Sequence, residues 1–127
     1  MDKSIKKFTA ASLLLAFTLG SNICFAAMTK ESNKLYKSAQ KFESQNRFKD
    51  AIDLMEKALG TSPDDITLNT KLAGLYAQVG EYDKALATYQ KTLRLKPEDG
   101  FLYISIGNLL EQKNDKSNSE FKNSNSI

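Results

Sequence analysis

Adjacent carboxylates at Asp64 and Asp65, and a run of Asp50, Asp53 and Glu56 at three-residue steps, are the groupings whose types and spacing could do chemistry. A carboxylate pair can divide general acid and general base work, and clustered oxygens can hold calcium. Position argues against both. Asp64 and Asp65 stand just after Pro63, where an acidic side chain caps the next helix by accepting hydrogen bonds from unpaired backbone N–H groups. Asp50, Asp53 and Glu56 lie along one helix and lack the loop acids and glycine of a calcium-binding hand, so solvated helix surface accounts for them. The chain has no histidine and one cysteine, Cys24, which removes the commonest proton shuttle and the softest metal ligands. No glycine loop is built to cradle phosphate, and no serine has an imidazole base. The reading is a protein that is not an enzyme and takes no cofactor or metal.

Lys30, Lys34, Lys37 and Lys41 fall on one side of a single helix. Such like-charge spacings cost roughly 0.2–0.5 kcal/mol per pair, which an acidic partner or anionic headgroups could offset. The plainer account is the exposed outer helix of a lysine-rich protein, partly balanced by Glu31 and Glu43. Nucleic acid is not expected, because no set of stacking aromatics accompanies the lysines.

The elements that carry these residues repeat. The interval from Pro63 to Pro97 equals the period of a helix-turn-helix solenoid, and in that frame the segments before the two prolines superimpose. Unit one has Leu35, Ser38, Ala39 and Phe42 at helical spacing, a break near Asn46 and Arg47, then Ala51, Met55 and Ala58. Unit two has Asn69, Leu72, Ala73 and Tyr76, a break at Gly80 and Glu81, then Ala85, Tyr89 and Thr92. A third start has Tyr103, Ile106, Gly107 and Leu110, and its second half is missing. Ala39, Ala73 and Gly107 allow two helices to approach closely while larger neighbours fill the flanks. Helices are predicted near 30–44, 48–60, 65–78, 82–95 and 100–113, with Asp64 or Asp65 and Asp99 as caps and Gly80 at the turn inside unit two.

These offsets resemble the tetratricopeptide repeat, W-x2-L-G-x2-Y, then A-x3-F, then P. Unit two matches most fully, with Asn69 in the tryptophan place and Ala73 in the glycine place, while unit one has Leu35, Ser38 and Met55 in the large-apolar, leucine and aromatic places. The resemblance covers about residues 30–113. It implies an all-α fold, an α-α superhelix of about two full repeats plus a terminal helix, that holds a protein or peptide partner.

The ends read differently. Lys3, Lys6 and Lys7 precede the uncharged stretch Phe8 to Leu19 and a small, polar approach to Ala26 and Ala27, the grammar of a signal peptide. Cleavage after Ala26 puts Cys24 and Ala26 in the two positions that must be small, giving a leader at 1–26 and a repeat domain at 27–113. The other reading is an uncleaved leader that tethers the chain to a membrane, and membrane contact is expected only in that case. Ile23 before Cys24 argues against lipidation. Loss of the leader leaves basic and acidic residues nearly equal, with no thiol. An exported protein of a bacterial cell envelope, periplasmic or secreted, is expected. Residues 114–127, rich in Asn, Ser and Lys, read as a disordered tail, with a short helix docking Phe121 as the rival.

In similar repeat proteins the first helix of each unit lines a concave groove. The resemblance places Asn33, Tyr36, Lys37 and Gln40 there from unit one, Thr67, Thr70, Lys71 and Gln78 from unit two, and Phe101, Ile104, Ser105 and Asn108 from the third start. Some family members clamp a chaperone's C-terminal carboxylate with lysine, asparagine and arginine. Tyr36, Gln40, Lys71, Phe101 and Ser105 occupy those places here, so that activity is not supported, and a mixed polar and aromatic groove for an extended or helical peptide is implied. The terminal helix is expected to bury Tyr103, Ile106 and Leu110 against unit two and to leave Leu102, Leu109 or Ile104 in water. A homo-oligomer or partner helix, or a tail folding back, would cover them.

Overall fold

The structure is a computed structural model that describes residues 28–125, so the expected leader lies outside the described residues. Five α-helices follow one another: α1 Lys30–Ser44, α2 Phe48–Thr61, α3 Ile66–Gln78, α4 Tyr82–Leu95 and α5 Gly100–Ser124. Each packs on its sequence neighbours, α1 on α2, α2 on α3, α3 on α4 and α4 on α5, which is the order of a superhelical stack. The first four helices end within a residue or so of the predicted bounds.

The turns repeat as faithfully as the helices. Asn46 at φ 59° and Gly80 at φ 81° occupy the left-handed region after α1 and α3. Around Asn46, the Arg47 N–H donates to the Phe42 carbonyl at 2.9 Å and the Asn46 N–H to the Glu43 carbonyl at 2.9 Å. One period later the same pair joins Glu81 to Tyr76 at 2.9 Å and Gly80 to Ala77 at 3.0 Å, so each helix ends by satisfying its last carbonyls through a left-handed residue. Between units, Asp65 caps α3 by accepting from the Leu68 N–H at 2.9 Å, and Asp99 caps α5 by accepting from the Phe101 N–H at 3.0 Å. Of the two neighbouring aspartates, Asp65 is the cap.

Asn69 in the tryptophan place has a physical reason. It is buried, and its amide donates to the carbonyls of Pro63 and Asp65 at 2.9 and 2.8 Å, fastening α3 to the turn before it. Tyr103 repeats the device, its hydroxyl donating to the Pro97 carbonyl at 3.0 Å. Ala39, Ala51, Met55, Ala58, Ala73 and Ala85 are buried where helices pass closest, and Leu68, Leu72, Leu75 and Tyr89 fill around them. Tyr76 joins units one and two by donating from its hydroxyl to Glu56. Burial first, and then the Glu56 carboxylate, hold its phenol pKa above the usual range.

Two expectations need correction, both on α5. The helix does not stop near Lys113, and residues 114–124 are not a disordered tail. Asn114 stands where a third unit would turn, one period after Gly80, yet the helix runs through it. A second helix would need apolar side chains at the places of Ala85 and Tyr89, and Ser119 and Asn123 stand there, so nothing draws the chain back. On the straight path Lys113 meets Asp83 at 2.6 Å and Lys116 lies 5.5 Å above the Tyr82 ring. The buried face also differs. Leu102 and Leu109, expected in water, are 1% and 3% exposed, and Tyr103 and Leu110, expected to be buried, are 55% and 47% exposed, while Ile104 is exposed as expected and Ile106 is partly buried against the core.

The reason lies in the geometry of the repeat. The equivalents of Leu102 and Leu109 in unit two are Leu68 and Leu75, which face the preceding unit and are buried too. Tyr103, Gly107 and Leu110 face the second helix of their own unit, and unit three has none among the described residues. In unit one, Lys34 and Lys41 hold the places of Leu68 and Leu75 and are exposed. Two stripe lysines thus mark an outer face, which supports the solvated account of that stripe.

Candidate functional site: the concave groove

Helices α1, α3 and α5, the first of each unit, line a groove of about 430 Å³. From the expected set it brings together Tyr36, Thr67, Thr70, Lys71 and Phe101. Asn33, Lys37, Gln40, Gln78, Ile104 and Asn108 lie outside that lining. Ser105 also lies outside it, its hydroxyl donating to the Phe101 carbonyl at 2.9 Å. The groove therefore sits between units one and two and is closed at one edge by the first turn of α5.

Residues that the repeat pattern did not place there complete it: Glu43, Ile66, Gly74, Leu75 and Tyr89. Tyr89 belongs to a second helix, α4, and reaches the concave side because Gly74 opposes it. A Cβ at position 74 would lie 3.7 Å from the Tyr89 hydroxyl oxygen, so any longer side chain there would cover it. Burial raises the Tyr89 pKa, and the nearby Ser105 hydroxyl opposes that shift in part, so the phenol stays protonated at neutral pH. The signal for this residue was Gly74 itself, the place held by Gln40 and Asn108 in the other units.

Glu43 changes the electrostatics. Lys71 donates to its carboxylate at 2.7 Å, with side chains 35% and 30% exposed. Lys71 is therefore already neutralised, and the groove presents a zwitterionic edge beside an apolar and phenolic floor. In a second notch of about 380 Å³, between the unit-two turn and α5, Lys113 pairs with Asp83, Lys84 pairs with Glu81 and Lys116 lies over the Tyr82 ring.

A family model for the tetratricopeptide repeat matches residues 43–105, which spans the turn of unit one through the first turns of α5. The chain belongs to the tetratricopeptide-repeat family. A crystal structure of the Sgt2 tetratricopeptide domain from Aspergillus fumigatus superimposes with a TM-score of 0.64 at 24% identity, over 70% of this chain and 59% of that one. A crystal structure of MamA protein gives a TM-score of 0.62 at 29% identity, over 72% of this chain and 51% of that one. A CTR9 homolog from Arabidopsis thaliana is 34% identical over 62 residues, which is 49% of this chain and 6% of that protein's length. The chain spans less than two thirds of the length of each of these proteins. Tetratricopeptide repeats typically mediate protein–protein interaction, and proteins of this fold are typically non-enzymatic scaffolds.

Proposed function

We propose that this tetratricopeptide protein is a non-enzymatic scaffold or adaptor that holds a partner peptide or helix in its concave groove, and that it works in a bacterial cell envelope. The observation that carries the reading is the groove floor. Ile66, Leu75 and Tyr89 lie beneath an opening flanked by Tyr36 and by Phe101, which is 63% exposed. An apolar or aromatic side chain of a partner would gain ~1.5–3 kcal/mol by full burial there, while the Thr67 and Thr70 hydroxyls and the Lys71–Glu43 pair offer donors and acceptors to its backbone. The envelope assignment is supported by the signal-peptide pattern in the sequence of residues 1–26.

Two measurements test the two parts. A photo-crosslinker in place of Tyr36, in native envelopes, is expected to capture a defined protein, and the Gly74→Gln variant is expected to lose that adduct by covering Tyr89. Absence of any specific adduct contradicts the groove reading. Mass spectrometry of the purified protein is expected to show loss of the leader, and a full-length chain held in the membrane fraction contradicts cleavage.

A further inference from the structure

Tyr103, Gly107, Leu110, Asn114, Ser117 and Phe121 follow one another along α5 at steps of four, three, four, three and four. That is the seam of a coiled coil, in which alternate steps keep one stripe facing a partner helix. Tyr103 and Phe121 are about five turns apart, so they lie on one line with Leu110 between them. All three are exposed, Phe121 at 68%, and the stripe bears no charge. The buried side chains Leu102 and Leu109 lie on another face, against α4, so among the described residues most of the seam is open, with Ser117 at the edge of the notch beside α4 and the Tyr103 hydroxyl bonded to the Pro97 carbonyl.

We infer that α5 pairs antiparallel with α5 of a second copy of this chain, making a weak dimer through an interface separate from the groove. The stripe complements itself only in that direction. With Tyr103 beside Phe121 of the second copy, Gly107 meets Ser117 and Leu110 meets Asn114, so small layers let the backbones close while the aromatics pair at each end. A parallel pairing would set Phe121 on Phe121 and Gly107 on Gly107, leaving wide and narrow layers unmatched. Antiparallel pairing also opposes the two helix dipoles.

The pairing also adds to what holds the helical end of α5. Side chains from Asn114 onward are exposed, and the Lys116 contact with the Tyr82 ring is a light tether for a polar helix. A second helix alongside stabilises it further. Three side chains half to two-thirds exposed offer on the order of 300 Å² of apolar area per chain, which falls in the small-interface class. The association is accordingly concentration-dependent, with a dissociation constant on the order of 100 μM.

Sedimentation equilibrium of the purified protein between about 10 μM and about 1 mM is expected to show a reversible monomer–dimer equilibrium. Phe121→Asp is expected to weaken it at least tenfold while leaving the circular dichroism melting temperature within about 2 °C, because Phe121 is exposed in the monomer. Direction is read with single cysteines in a C24S background. Gly107→Cys chains mixed with Ser117→Cys chains are expected to form a mixed disulfide on mild oxidation, and neither variant alone is expected to form one. A monomer mass at the highest concentration, undiminished association in Phe121→Asp, or disulfides formed within either single variant in place of the mixed one would overturn the proposal.

Discussion

Helices α3 and α5 open successive units, carry the same repeat places one period apart, and meet different fates. Asn69, Ala73 and Tyr76 on α3 are buried, whereas Tyr103 and Leu110 on α5 are 55% and 47% exposed, and Gly107 has nothing within 4 Å of where a Cβ would stand. Leu68 and Leu75 on α3, and Leu102 and Leu109 on α5, are buried alike. Each helix has two working faces, one toward the unit before it and one toward its own second helix. Among the described residues, α3 has both neighbours and α5 has one. In a solenoid, burial belongs to a neighbour and not to a repeat position, and an apolar stripe whose neighbour is missing becomes a surface.

The largest effect should come from the face that both helices share. Leu68→Ala is expected to cost about 2–5 kcal/mol in urea unfolding, and Leu102→Ala is expected to be costly as well, since both side chains are fully packed. A negligible cost for Leu102→Ala would break the equivalence. The second face should separate the helices. Ala73→Leu is expected to cost about 1–3 kcal/mol by overpacking against the second helix of its unit, whereas Gly107→Ala is expected to stabilise by up to about 1 kcal/mol through helix propensity alone. Thermal melts of the two variants read this directly, and equal losses would mean that α5 is covered on both faces.

The smallest effect sharpens the contrast between Tyr76 and Tyr103. Tyr76→Phe removes the hydrogen bond to Glu56 and is expected to cost about 0.5–1.5 kcal/mol, while Tyr103→Phe, whose hydroxyl bonds in the open to Pro97, is expected to cost less. The Tyr76 phenol has its pKa raised above the ordinary 10.0, so the folded state favours the protonated form. Its contribution is whole below pH 10 and is lost as pH rises above that ordinary value toward the folded one. Stability measured from pH 9 upward is expected to fall less steeply in Tyr76→Phe than in the parent.

Much of the fold was legible because the repeat is written twice. Pro63 with Pro97, Asn46 with Gly80 and Ala39 with Ala73 each fix one boundary or one close approach, and the structure returns matching hydrogen bonds at each turn. The end of α5 was not legible from composition. Asn, Ser and Lys there favour solvent, and the contacts that guide the helix, Lys113 to Asp83 and Lys116 to Tyr82, reach back across a whole unit of sequence. The groove was half legible. First-helix places found Tyr36, Thr70 and Lys71, but Tyr89 enters from a second helix through the gap at Gly74, and Glu43 had been counted only as balance for surface lysines. Inferring which consensus places on α5 are buried failed because Tyr103 and Leu110 answer to a second helix that unit three lacks among the described residues.

Backbone chemical shifts of the labelled protein across residues 108–124 test that central contrast most directly. A continuous helix predicts uniform helical Cα shifts through Asn114, with slow amide exchange at Leu102 and Leu109 and water-accessible side chains at Tyr103 and Leu110. A left-handed signature at Asn114 like those of Asn46 and Gly80, followed by a separate helix with contacts to Tyr103, would show a completed third unit and contradict the account.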